Sequence, residues 1–259
     1  MQIGVMNHPA RDPVREIEWI GRNGFDFVDL TLEPPAVDPD HIDIAALRAA
    51  LKKHGLGVIV HTAFYLPLAT PFAGLRRATL NEYRRALRAA RLLRTGLLTV
   101  HFTKPPQFFE IDVIVDWCAS VLSDLCEEAA AFGITVALEN APQTVVDQLA
   151  VFEVLFDRLP RLGLHLDCGH AQVEGDRWAE YLDRLGHRLV HVHLSDNDAG
   201  SDQHLPIASV PGSGIDWREC LRLLRETGYD GTITLEVFSP AREYLLVSKE
   251  LVRKLWETL

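Results

Sequence analysis

Eight short runs of apolar and β-branched residues recur along the chain, with longer amphipathic stretches between them. The runs are 3–6, 27–33, 57–64, 97–102, 135–140, 163–168, 189–196 and 232–238. Their length and β-branched content read as strands. The intervening segments, such as 75–93 and 114–132, place apolar residues at threes and fours between charges, which is a helical period. Glycines at 24, 55, 96, 133, 163, 186 and 228 follow the helical stretches and suit C-caps feeding short loops. Eight such units in 259 residues predict a single α/β domain spanning 1–259, a (β/α)8 TIM barrel. An open doubly wound sheet is the competing arrangement. No GxGxxG or GxxxxGK[ST] follows the first strand to support it.

Bulk properties narrow the function classes. No run of 18 apolar residues exists to span a membrane. The opening MQIGVMNHPARDP lacks the basic and long apolar regions of a signal peptide. Cys118, Cys126, Cys168 and Cys220 form no CxxC pair, which suits reduced thiols in the cytoplasm. A net charge of −10 disfavours broad attraction to nucleic acid or to an anionic membrane.

Barrel active sites form at the C-terminal ends of the strands. Six consecutive units carry metal-competent side chains there: His61, His101, Glu139, Asp167 with His170, His193 with Asp202 and His204, and Glu236. Buried carboxylates and imidazoles are costly singly but tolerable around a cation. Mixed imidazole and carboxylate ligands suit zinc or manganese better than magnesium or calcium. One to three divalent ions fit this set. Such a site lowers the pKa of a bound water or polarises a substrate oxygen. A lone strand-end histidine is more often a structural hydrogen-bonding group, and a lone carboxylate a helix cap. It is the collection of nine at one barrel end that favours chemistry.

The remaining polar residues have plainer readings. His165 and His191 share strand parity with Asp167 and His193, so they point inward one layer deeper, as supporting or core groups. Cys168 has the opposite parity and packs. His41, His54 and His187 read as solvated, and His8 as a group near the mouth. Lys104 reads first as a solvated lysine and second as a contact for a substrate anion; Glu33, unless simply solvated before Pro34, and Asp29 are candidates to meet sugar hydroxyls. Gly212 and Gly214 in VPGSGIDW offer backbone N–H groups to a phosphate or hydroxyl.

The blocks HTAFYLPLA, TVHF, LEN, LDCGH, HVHLSDN, DQH and LEV, in this order, resemble the xylose isomerase-like barrel superfamily. It includes sugar isomerases and epimerases and the endonuclease IV group of apurinic endonucleases. The epimerase resemblance implies one divalent ion held by Glu139, Asp167, His193 and Glu236. It also implies proton transfer by Glu139 and Glu236 beside a metal-bound carbonyl, with His170 touching a sugar or sugar-phosphate substrate. Ketose 3-epimerases of this kind carry an arginine and a glutamate where this chain has Ala199 and Val145. The endonuclease IV resemblance implies three zinc ions. His61, His101 and Glu139 would take one. Glu139, Asp167, His193 and Glu236 would take the second, and His170, Asp202 and His204 the third. YLPLA resembles that family's DNA-contacting loop, but Gln203 stands where it carries arginine. Three readings therefore stay open: a metal-dependent isomerase or epimerase, a multi-metal phosphoesterase, and a non-catalytic metal- or sugar-binding barrel. A homo-oligomer is compatible with each.

Overall fold

The structure is a computed structural model that describes all residues except 107, 143–145 and 213. Its strands are β1 (Gln2–Met6), β2 (Phe27–Leu32), β3 (Gly57–Thr62), β4 (Leu97–His101), β5 (Thr135–Glu139), β6 (Leu162–Asp167), β7 (Leu189–Leu194) and β8 (Thr232–Leu235). They follow one another in chain order round a closed barrel. Every pair with a defined register is parallel. The helices between and after them are α1 (Pro13–Arg22), α2 (Ile44–His54), α3 (Ala73–Leu93), α4 (Ile111–Ala130), α5 (Gln148–Arg158), α6 (Cys168–Val173), α7 (Trp178–Leu185), α8 (Trp217–Glu226) and α9 (Glu243–Glu257). This is the (β/α)8 barrel expected from the alternation.

Parallel strands covered by helices are buried on both faces, so they read as continuous apolar runs. All six residues of β2 and of β6 are buried. The outer helices bury one stripe each. In α3 the stripe runs through Leu80, Tyr83, Leu87 and Ala90; in α4 it runs through Ile114, Cys118, Val121, Leu125 and Ala129. Asp12, Asp43, Asp147, Asp167 and Asp216 cap α1, α2, α5, α6 and α8, each accepting the backbone N–H three residues on. Each cap stabilises its helix by about 1 kcal/mol. Part of the acidic balance is thus structural.

Two expectations shift in detail. After β1, the strands stop short of the apolar runs, because the next residues already belong to loops or caps; Cys168, for example, opens α6. The C-cap of α2 is Gly55 in the left-handed region, as expected. The C-cap of α3 is Arg94 at φ 62°, ahead of Gly96. Among the described residues, no helix is long and apolar enough to cross a membrane.

The chain divides into two compact units. One comprises Met1–Val5, Asn140–Gln143 and Leu164–Leu259; the other comprises Met6–Glu139 and Thr144–Gly163. Each contains its own cluster of titratable side chains.

Candidate metal centre

In the unit built on β2–β5, parallel pairing sets Asp29, His61, His101 and Glu139 on successive strands. Thr31 pairs with His61, His61 with Thr99, and His101 with Glu139. The Nε2 atoms of His61 and His101 lie 2.9 Å apart. Both face one oxygen of Glu139, Oε2, at 3.2 and 3.0 Å. On its other side His61 Nδ1 stands 3.4 Å from Asp29 Oδ1. Burial alone would depress the pKa of His61. The charge and hydrogen bond of Asp29, then those of Glu139, outweigh it and raise the value to about 9. Two imidazole nitrogens and a carboxylate oxygen within 4.8 Å of one another make a set that fits a divalent ion. Nitrogens bound to a tetrahedral zinc stand about 3.3 Å apart, so only a small adjustment is needed.

In the other unit, Asp167 ends β6, His193 lies in β7 opposite it, and Glu236 follows β8. His193 Nδ1 lies 3.0 Å from Glu236 Oε2 and 3.8 Å from Asp167 Oδ2. The side chains of Asp167 and His193 have no solvent exposure, and that of Glu236 is 11% exposed. Two carboxylates around one imidazole in such burial call for a cation. Beside them, Asp202 Oδ2 sits between His170 Nε2 at 3.2 Å and His204 Nε2 at 3.0 Å. His204 Nδ1 faces Glu236 Oε2 at 3.7 Å, so the two groups adjoin. Burial would raise the pKa of Asp202, yet the hydrogen bonds from His170 and His204 hold it well below the carboxylate range. His204 is pushed the other way. Burial opposes its charge, but Glu236 and then Asp202 raise its pKa to about 9. His170 Nδ1 donates to the Asn140 carbonyl at 2.7 Å, which leaves Nε2 to face the Asp202 carboxylate. That nitrogen must therefore carry a second proton or meet a cation.

The groups that hold these ligands were mostly invisible in the sequence. Asn140 clamps the end of β6: Oδ1 accepts from Asp167 N at 2.8 Å, and Nδ2 donates to Asp167 O at 3.0 Å. Asp196 gathers the loop after β7, its Oδ2 accepting from Ser209 N at 3.0 Å, Val210 N at 3.4 Å and Trp217 Nε1 at 3.4 Å. Gly214 closes on that carboxylate, since a Cβ there would stand 2.7 Å from Asp196 Oδ1. Gly169 is required for space. A Cβ would overlap Ser195 Oγ and stand 3.2 Å from Asp167 Oδ1. The signals were polar residues directly after strand ends, yet what they bind is set by the neighbouring strand.

The other polar residues named from the sequence take the following places. Asp29 is buried and holds His61, so it is not open to a sugar hydroxyl. Glu33 lies just beyond β2 and accepts from Tyr65 Oη at 3.1 Å. Lys104 is exposed after β4. Gln203 is tied into its own loop, with Oε1 accepting from Asp198 N at 2.9 Å. Ala199 is exposed in the same loop, and Val145 lies outside the described residues. His54 is half-buried on Glu18 at 3.0 Å, whereas His8, His41 and His187 are exposed. Cys168 packs with its Sγ 3.7 Å from that of Cys220.

Residues 17–255 match the xylose isomerase-like TIM barrel family, and the chain belongs to it. A ketose 3-epimerase from Arthrobacter globiformis is 27% identical over 91% of this chain and 80% of its own. A fructoselysine 3-epimerase from Escherichia coli O157:H7 is 29% identical, over 63% of this chain and 60% of its own. The crystal structure of a D-tagatose 3-epimerase-like protein superposes with a TM-score of 0.86 at 26% identity, covering 100% of this chain and 98% of that one.

Proposed function

We propose that the chain, acting as one domain, is a divalent-metal-dependent sugar isomerase or epimerase, with a ketose or sugar phosphate as substrate. The observation that carries this reading is His193 flanked by the buried carboxylates Asp167 and Glu236 in a member of this family. With Glu139, from the end of β5, these residues would hold the ion. Zinc or manganese suits a donor set of one imidazole and three carboxylates. Bound there, the ion would polarise a substrate carbonyl and acidify the adjacent C–H. One of Glu139 and Glu236 takes the proton from that carbon, and the other returns one to the opposite face. His170, Lys104 and Glu33 are assigned to substrate contact. Relatives that include a ketose 3-epimerase and a fructoselysine 3-epimerase support this chemistry. Four free, buried cysteines suit a cytoplasmic setting.

Glu139→Gln and Glu236→Gln in metal-loaded protein test the assignment against a panel of ketoses. The expected result, at metal concentrations that keep the site loaded, is turnover lowered by about 10²–10⁴-fold. Full turnover in either variant would remove that glutamate from proton transfer.

A second reading has its own observation. His61–His101–Glu139 and His170–Asp202–His204 are each competent to hold a further ion, as a multi-zinc phosphodiesterase requires. Elemental analysis separates the two readings. One ion per chain favours the epimerase. Three, together with nicking of a duplex bearing an abasic site, favour the phosphodiesterase.

A further inference from the structure

An open cleft of about 570 Å³ is lined by residues of α2, the start of β3 and the end of α3. It lies wholly within the unit that carries His61, His101 and Glu139. Gly57, which opens β3, lines it, whereas His61 stands four residues further along the strand. At about 3.3 Å per residue that is about 13 Å away, toward the C-terminal end of the strand. Small-molecule pockets are commonly about 300–1,000 Å³, so the cleft has room for a metabolite.

Its wall is cationic. Arg48 and Lys52 stand one turn apart on α2, and Arg94 joins them from the end of α3. Among the described residues no acid lines the cleft, in a chain with 36 acids against 26 lysines and arginines. Nearby cations outside it are paired. Lys53 lies 2.7 Å from Glu18, Arg85 lies 2.6 Å from both Asp38 and Asp40, and Arg88 lies 3.3 Å from Asp40. Arg48, Lys52 and Arg94 make no ion pair among the described residues.

Helix ends account for only part of this charge. Lys52 falls in the last turn of α2, where the free carbonyls favour a cation. Arg48 lies a turn earlier, beyond that benefit, and like charges four residues apart on a helix repel. Arg94 holds a left-handed backbone at φ 62°, and no side-chain contact among the described residues offsets that strain. Beside the three cations, Leu51, Leu56 and Leu93 give the cleft an apolar floor. A ligand that meets both surfaces combines a multiply charged anion with an uncharged body. A phosphate monoester carries about −1.5 to −2 charges at neutral pH. Its oxygens match the guanidinium forks of Arg48 and Arg94, and the Lys52 ammonium serves as a point charge.

We propose that this cleft is a second ligand site, which binds a phosphate monoester through Arg48, Lys52 and Arg94 with the body of the ester against Leu51, Leu56 and Leu93. It lies at the start of the strands, away from the metal-competent groups at their ends, and does not depend on how the metal centre is read.

The test is calorimetric titration of full-length, metal-loaded protein with phenyl phosphate, and in parallel with inorganic phosphate. Phenyl phosphate is expected to bind saturably at this cleft, more tightly than inorganic phosphate, and to keep its affinity after the metal is chelated. Arg48→Gln and Arg94→Gly should each weaken it by about tenfold or more, the loss of a charge-assisted contact. Arg94→Gly suits the left-handed backbone, so it decides the matter if another variant does not fold. Lys53→Gln, which removes a paired cation outside the cleft, should leave the affinity unchanged. Wild-type protein that binds neither probe would overturn the proposal. So would wild-type affinity in Arg48→Gln and Arg94→Gly, or binding that vanishes on chelation, because the anion would then sit elsewhere or on the metal. Equal affinity for the two phosphates would remove the apolar floor from recognition and overturn the assignment to an ester.

Discussion

Asp29 Oδ1 lies 3.4 Å from His61 Nδ1, and both side chains are buried. The pair holds a proton on His61 up to about pH 9, above the ordinary 6.5. A raised histidine pKa stabilises the folded state fully below 6.5, and that contribution is lost as pH rises through 9. A shift of this size is worth about 3 kcal/mol. The melting temperature of metal-free protein should therefore fall between pH 6.5 and 9. His204, raised to about 9 as well, contributes to the same window. Asp29→Asn should accordingly lower stability at pH 6.5 and flatten the decline without abolishing it. An unchanged slope in thermal melts would show that Asp29 does not set the His61 proton.

Gly169 is the tightest point around the β6 ligand. Adding a methyl in Gly169→Ala pushes on Ser195 Oγ and on Asp167 Oδ1. Overpacking of this kind costs about 1–3 kcal/mol. The folded variant should also bind divalent metal less tightly than wild type, because Asp167 must move. Denaturant melts and a chelator competition measure the two effects separately.

Asp196 holds the loop after β7 through three donors, and it has no solvent exposure. Asp196→Ala leaves those donors unmet and should cost about 3 kcal/mol in urea unfolding. Gly214→Ala presses on the same carboxylate and on the Val210 carbonyl, so it should destabilise in the same direction. Because the loop also carries Asp202 and His204, both variants should lose affinity for an ion at the His170–Asp202–His204 group.

Arg94 ends α3 at φ 62°, a conformation that costs a residue bearing a Cβ about 1 kcal/mol. Its side chain is exposed. Arg94→Gly should therefore stabilise the protein by up to about 1 kcal/mol, with no change in metal affinity. A destabilised variant in urea titrations would contradict that account of the cap.

These cases show where sequence reading succeeds and where it stops. The strands were legible because burial on both faces keeps each run mostly apolar, as in β2, where only Asp29 and Thr31 interrupt it. Their ends were not, because Asp167 belongs to a strand and caps a helix at once. The strand-end acids and histidines could be named from pattern, as could the inward parity of His165 and His191. Their partners could not. Asp29 reads as a free acid until β3 places His61 beside it, and Asn140 reads as a loop residue until it clamps the backbone of Asp167. Gly96 looked like the natural cap for α3, but the chain reverses two residues earlier.

Metal-dependent proton transfer at a carbon next to a carbonyl leaves a solvent-derived hydrogen on the product carbon. Its most direct measurement is proton NMR of ketoses incubated with metal-loaded protein in deuterated water. The expected result is a new epimer or isomer carrying deuterium at the carbon that changed, lost when the metal is chelated and in Glu139→Gln and Glu236→Gln. Metal-loaded protein that leaves every ketose unlabelled but cleaves a phosphodiester would contradict the account.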